Sequence, residues 1–388
     1  MEQTKHTKSD WDETYQLINW WKPEQIHNAK VLVVGAGALG NEVLKNLALL
    51  NIGNIVLIDF DRIEYSNLSR SVLFREADCE DNRYKVEVAA ERVKEINPNV
   101  NIKGINGDVT IDIGLGLIRQ MDVVIGCLDN RFARLMLNRM CHKVNTTWVD
   151  GGIENLSGQL SVFKPGTSCY ECQLPQQAME QIRYRMGCAD IAQRNANFGR
   201  IATTPISASI IAALQVQEAL KIIVDKGSTT DFLYIDGMNN LFLQSKYGEN
   251  KEDCLSHYHY DEIEEMASLS HTDTVAAVFK LLAEKYKIAK SDIIIELDHN
   301  VITEVTSKSS GKATSVFIPK PHFSDEEQDK HKESEGDVLV FTKFITQIDE
   351  AFQESDKSLK DFGIPALHIL SVLVADERRF IELSGDGI

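Results

Sequence analysis

Three glycines, Gly35, Gly37 and Gly40, follow directly on the apolar run Val31 to Val34, and few folds accommodate that order. The run reads as a buried parallel strand. Asn41 to Leu50 then carries apolar residues at helical spacing, with Val43, Leu44, Leu47 and Leu50 on one face. A second strand, Asn54 to Ile58, ends at Asp59. Strand, G-x-G-x-x-G turn, helix, strand and acid is the order of a nucleotide-binding βαβ unit. The glycines let backbone N–H groups approach phosphates at a helix N-terminus, and Asp59 can accept ribose hydroxyls. The rival is a Gly-rich structural turn.

An NAD-dependent oxidoreductase would need only the ribose acid at this point. Here DFDRIEYSNLSR adds Asp61, Asn67 and Arg70, Arg75 follows, and Lys85 opens an amphipathic helix, Tyr84 to Ile96. Singly, each is an ordinary solvated charge. Together they suit an enzyme that cleaves a triphosphate, because Arg and Lys neutralise the charge developing on departing pyrophosphate. A further strand, Asp122 to Cys127, leads into Leu128-Asp129-Asn130. Ligands of open α/β sheets collect at that strand end, so Asp129 can meet Mg²⁺, or it can serve as an N-cap of the helix Arg131 to Val144.

The glycine turn, LIDFD, the SNLSR box, Lys85 and CLDNRFAR resemble the ThiF/MoeB and ubiquitin-activating enzyme superfamily over about Trp20 to His257. The resemblance implies a Rossmann-like α/β adenylation domain acting on the C-terminal carboxylate of a ubiquitin-like or sulfur-carrier protein. It implies ATP and Mg²⁺ as cofactors and Asp59 as ribose ligand. Asn67, Arg70 and Lys85 would be phosphate ligands and Asp129 the magnesium-linked carboxylate, with Asp61 and Asn130 beside them. The superfamily often supplies an N-terminal arginine to ATP across a homodimer interface. No arginine precedes Arg62 here, and Lys22 is the nearest basic alternative.

Two pairs of soft ligands stand far apart: Cys169-x-x-Cys172 and Cys254-x-x-His257. Two such pairs make a closed tetrahedral zinc set, with His259 as a competitor for His257 and a redox C-x-x-C as the rival. The superfamily often carries two cysteine pairs in these places. Cys188 follows Arg183 and Arg185, and neighbouring cations favour a thiolate. It stands in a crossover segment, about 183–205, before the apolar helix Ile206 to Val224. Superfamily members that hold the activated protein on a thiol place their cysteine there, which implies Cys188 as nucleophile; the alternative is an inert cysteine. Cys79, among carboxylates in EADCEDN, is a poor nucleophile.

Length favours two domains: 388 residues exceed one ordinary core. The boundaries read as an N-terminal segment 1–28, an adenylation domain 29–262 and a C-terminal domain 266–388. The N-terminal aromatics Trp11, Tyr15, Trp20 and Trp21 read as a capping helix on the sheet. DGGIENLSGQLSVFKPG reads as two strands around a Gly158 turn, and Phe232 to Asp236 as the last strand of the domain. The C-terminal part reads as a smaller α+β domain. It has a helix, Asp273 to Tyr286, a hairpin around His299-Asn300, a mobile loop, 324–337, and a tail loosely similar to a ubiquitin-like β-grasp. In several family members a ubiquitin-fold domain recruits a conjugating enzyme.

A net charge of −17 argues against a nucleic-acid partner, which needs a basic face. No apolar stretch reaches the roughly 18 residues of a membrane span, and the polar N-terminus lacks a signal-peptide core. Seven cysteines without a secretory signal point to a cytoplasmic protein and not to a disulfide framework. The reading is a ubiquitin-like-protein activating enzyme. Its alternatives are a sulfur-carrier adenylyltransferase and a non-catalytic partner subunit of an activating heterodimer.

Overall fold

The computed structural model describes residues 11–187, 202–228, 230–334 and 336–387. The described chain forms two compact units, one of residues 11–110, 118–178 and 202–259, the other of 111–117, 179–187 and 260–387.

The first unit is built on an eight-stranded sheet in the order β3-β2-β1-β4-β5-β6-β7-β8. The strands are β1 Lys30–Val34, β2 Asn54–Asp59, β3 Asn101–Asn106, β4 Val123–Gly126, β5 Trp148–Glu154, β6 Ser157–Phe163, β7 Phe232–Asp236 and β8 Leu241–Ser245. The first five pair in parallel and the last three antiparallel. Strand order reverses between β1 and β4, and a crevice opens at such a switch point beyond the strands' carboxyl ends.

Helix α1, Ala38–Leu49, buries Leu39, Val43, Leu44 and Leu47, and α2, Lys85–Ile96, buries Val86, Val88, Ala89 and Val93. Each buried aliphatic side chain contributes roughly 1.5–3 kcal/mol, so these stripes hold both helices on the sheet. Helix α3, Arg131–Lys143, starts at an Asn130 cap whose Oδ1 accepts from Ala133 N at 2.8 Å. Helix α4, Pro205–Ile223, starts at Thr204, whose side chain accepts from Ser207 N.

By length and composition α4 could cross a membrane. Gln215, Gln217 and Glu218 interrupt its apolar run, so sequence inspection for an unbroken span passes over it. It buries Ile211, Ala212, Val216, Ala219 and Leu220 in the core of this unit.

Three local expectations are corrected here. The turn between β5 and β6 is Asn155-Leu156, with Asn155 left-handed at φ 53°, and Gly158 lies inside β6. Gly158 is glycine because a Cβ would meet Ile211 Cγ1 at 2.4 Å. The sheet does not end at β7: β8 adds a further strand whose side chains are all exposed, which hides its membership from any burial pattern. The N-terminal aromatics do not form one helix. Trp11 and Asp12 have 3-10 backbone, a 3-10 turn, Tyr15–Leu17, and a short helix, Pro23–Asn28, flank a buried Trp21, and Trp11 Nε1 donates to Leu49 O at 3.0 Å.

In the second unit, helix α5, Val275–Tyr286, buries Val275, Val278, Phe279 and Leu282. Its sheet runs β11-β10-β13-β14-β9, with β12 also paired to β10. These strands are β9 Ile263–Glu265, β10 Ile293–Ser307, β11 Ala313–Pro319, β12 Leu339–Ile348, β13 Ile369–Val374 and β14 Glu377–Glu382. Strands β9 and β14 pair in parallel and the other pairs are antiparallel. The expected hairpin around His299-Asn300 is instead one continuous strand, β10. Its polar middle is absorbed by a register shift between Glu296 and Val301, as in a bulge, and His299 Nε2 donates to Phe362 O at 2.8 Å. The acidic stretch expected as a loop contains a short helix, Asp325–Asp329, capped by Ser324.

Candidate functional site

The glycine turn, Asp59 with Asp61, and Asp129 follow the carboxyl ends of the parallel strands β1, β2 and β4. Gly35 leaves β1 at φ +98°, a backbone only glycine adopts without strain. A Cβ there would also lie 2.6 Å from Cys127 O, beyond β4. Gly40 packs against Gly35 itself, at 2.0 Å from a built Cβ to Gly35 O. Around Gly37 nothing lies within 4 Å of such an atom, so space is open where the first turn of α1 directs its unpaired N–H groups.

Asp59 closes one side of this turn. Its Oδ2 accepts from Ala36 N at 2.7 Å, and its Oδ1 accepts from Asp61 N at 2.8 Å. Burial pushes its carboxyl up, Lys85 pulls it back, and the net direction is up. Lys85, buried at the start of α2, reaches Asp61 with its Nζ 2.7 Å from Oδ2. Asp61 keeps half its side-chain surface, so the buried ammonium rests on a solvated partner. Arg70 Nη1 donates to Ser66 O at 2.6 Å, and Asn67 Oδ1 accepts from Glu64 N at 2.9 Å, which shapes the SNLSR turn. Asp129 and Asn130 are exposed just past β4. An exposed carboxylate at a switch point, close in the chain to Cys127, which abuts the glycine turn, suits Mg²⁺ held jointly with phosphate oxygens.

Sequence reading missed the residues beneath Asp129. Arg134 donates from Nε to Asp150 Oδ1 at 3.1 Å, and from Nη2 to Leu128 O at 2.6 Å and Gly151 O at 2.9 Å. Gln215 Nε2 donates to Gly126 O at 2.8 Å. One signal was present: Arg134 lies in the first turn of α3, where the helix dipole disfavours a cation.

Cys169, Cys172, Cys254 and His257 come together, their ligand atoms all within 4.8 Å of one another. Cys169 Sγ is 3.7 Å from Cys172 Sγ and 3.5 Å from Cys254 Sγ, and Cys172 Sγ is 3.5 Å from His257 Nε2. A tetrahedron with metal–sulfur bonds of about 2.3 Å has edges of about 3.8 Å, so the donor set fits zinc in type and size. Burial pushes the Cys169 and Cys254 thiols up, and a divalent cation would displace those protons. The loops are also tied directly. Glu171 accepts from Arg139 Nη2 at 2.8 Å and from Ser256 Oγ at 2.6 Å, and Asn138 Nδ2 donates to that same hydroxyl at 2.8 Å.

Cys188, with most of the segment 183–205, lies outside the described residues. Cys127 and Cys141 are inert by environment, since burial pushes both thiols up. Burial and the carboxylates of Asp78, Glu76 and Glu80 raise Cys79.

The sequence profile of the ThiF family matches residues 14–256, more than half of the chain. SUMO-activating enzyme subunit 2 of Dictyostelium discoideum is 41% identical over 152 residues, which cover 39% of this chain and 23% of that protein. Ubiquitin-like modifier-activating enzyme 5 of Drosophila mojavensis is 31% identical over 249 residues, covering 59% of each chain. The matched stretches thus span less than two thirds of these relatives. The crystal structure of E. coli MccB with ATP superposes with a TM-score of 0.52 at 23% identity, covering 66% of this chain and 75% of that one, a likeness of fold.

Proposed function

Because this chain belongs to the ThiF family, we propose that it activates a ubiquitin-like protein with ATP and then holds it as a thioester. The observation that carries the reading is the convergence of the Gly35–Gly40 turn, Asp59, the Lys85–Asp61 pair and Asp129 at one sheet edge. A dehydrogenase has no use for that lysine and second carboxylate.

In the first step a terminal carboxylate oxygen of the substrate protein attacks the α-phosphorus of ATP. The bond to the bridging oxygen breaks, pyrophosphate leaves, and an acyl-adenylate remains. Asp59 accepts the ribose hydroxyls, and the N–H groups at the start of α1 face the phosphates. Lys85, Arg70 and Asn67 hold the departing pyrophosphate, whose charge grows in the transition state. Mg²⁺, held by Asp129 beside Asn130, would supply charge neutralisation at the phosphates. In the second step the Cys188 thiolate attacks the acyl carbon and AMP leaves. Zinc on Cys169, Cys172, Cys254 and His257 would be structural, since four protein ligands leave no open position.

The wider proposal takes residues 29–262 as the adenylation domain, working as a homodimer, and 266–388 as the accessory domain that receives a conjugating enzyme. The proposed setting is cytoplasmic, where a reducing medium keeps zinc-ligating thiols out of disulfides. The test is incubation with ATP and candidate ubiquitin-like proteins, read by pyrophosphate exchange and intact mass. Wild type should exchange pyrophosphate and form a thiol-labile adduct, and Cys188→Ala should keep the exchange and lose the adduct. An adduct that survives in Cys188→Ala puts the nucleophile elsewhere.

A further inference from the structure

The turn that carries Asp129 is held at two peptide groups, 126–127 and 128–129. Gln215 Nε2 donates to Gly126 O at 2.8 Å, Cys127 N donates to Val34 O at 2.8 Å, and Arg134 Nη2 donates to Leu128 O at 2.6 Å. Asp129 itself and Asn130 are left exposed. The side chains of Gln215 and Asp150 in this frame are buried, whereas the carboxylate of Asp129 is exposed and accepts only from Asn130 Nδ2, at 3.3 Å, among the hydrogen bonds of the described residues.

The frame is expensive in stability terms. Asp150 keeps 2% of its side-chain surface and Arg134 14%. Burial pushes the Asp150 carboxyl up even with the guanidinium pulling it down. Desolvating two ions generally offsets their attraction, so a buried pair is a poor stabiliser compared with apolar residues of similar volume. Gln215 adds a second cost, a buried Oε1 without a hydrogen-bond partner. These costs fall on side chains that grip one turn. Only a guanidinium fork can serve Asp150, Leu128 O and Gly151 O from one planar group. The turn also abuts the glycine loop, because a Cβ on Gly35 would lie 2.6 Å from Cys127 O. Any slack in the turn would move both.

We propose that Arg134, Asp150 and Gln215 are positioning residues that hold the Asp129 carboxylate at the metal–nucleotide site through the backbone of residues 126–128. The inference rests on the reading of Asp129 as that ligand.

The test replaces both ions at once, Arg134→Met with Asp150→Leu, so that no buried charge is left unpaired. Melting temperature and ATP affinity by calorimetry are measured in saturating Mg²⁺ and in EDTA, beside wild type and Asp129→Ala. The expected result is a melting temperature lowered by a few degrees, because Leu128 O and Gly151 O lose their donor, unchanged affinity in EDTA, and loss of at least about tenfold of the Mg²⁺-dependent gain, in the direction of Asp129→Ala. If the double variant keeps the full gain while Asp129→Ala loses it, the positioning role is overturned. If Asp129→Ala itself binds like wild type, the reading of Asp129 has failed instead. Should the double variant not fold, Gln215→Met decides: about threefold loss of the Mg²⁺-dependent gain supports the role, and no loss overturns it.

Discussion

Gly37→Ala separates the cost of folding from the cost of binding, because the two act on different atoms. Gly37 has φ −73°, ordinary for any residue, and a Cβ there meets nothing within 4 Å. The only penalty without ligand is at the helix cap, where glycine is preferred to alanine by roughly 0.5–1 kcal/mol. That lowers the melting temperature by about 1–4 °C for a unit of this size. With ATP bound, the methyl occupies space the phosphates need. Affinity should fall about 10- to 100-fold, equivalent to about 1.4–2.8 kcal/mol.

Gly40→Ala is the contrasting case. Its Cβ would sit 2.0 Å from Gly35 O, whereas real contacts essentially never fall below 3.0 Å, so the loop must open by an ångström. Alanine gains about 1 kcal/mol of helix propensity, but overpacking costs about 1–3 kcal/mol, and overpacking wins. Gly40→Ala should therefore lose stability and ATP affinity together, and Gly37→Ala affinity almost alone. Differential scanning fluorimetry and calorimetry with ATP and with NAD would show this. Wild-type ATP affinity in Gly37→Ala, or selective binding of NAD, would refute a phosphate-binding turn at Gly35–Gly40.

Further outcomes follow from other sites. Lys85→Met leaves Asp61 solvated, so it should fold, yet carrier-dependent ATP–pyrophosphate exchange should fall at least about 100-fold; retained exchange removes Lys85 from the site. Elemental analysis should find about one zinc per chain, lost in Cys172→Ala, and a metal-free wild type would discard the site. Burial holds His299 below the ordinary histidine range. Its unfolded form takes up a proton near pH 6.5 and its folded form only lower, so stability should be lost as pH falls from about 6.5 toward the folded value. His299→Gln should flatten that part of the melting profile of the chain, and an unchanged slope would assign it to other groups.

The glycine turn, Asp59, Lys85 and the two ligand pairs were legible in the chain because each depends on residues within one or two turns of backbone. G-x-G-x-x-G after an apolar run dictates a turn whatever lies around it, and C-x-x-C places two thiols on one side of a loop. Cys188 was singled out by neighbouring cations and by resemblance. The elements that misled were those whose local composition pointed one way and whose neighbours pulled the other. His299-Asn300 looks like a turn but lies within β10, between stretches paired to β13 and to β11 and β12. The strand β8 carries no alternation because both of its faces are exposed.

Local sequence thus dictated where strands, turns and ligand pairs form, since periodicity and backbone sterics act over a few residues. Tertiary packing decided which of them meet. Gly126 lies beside Asp150 only through the β4–β5 register, and Gln215 reaches Gly126 O from 89 residues away. The two ligand pairs join across 85 residues. Those contacts depend on how helices and strands pack as rigid bodies, and no residue's own propensities encode that distance.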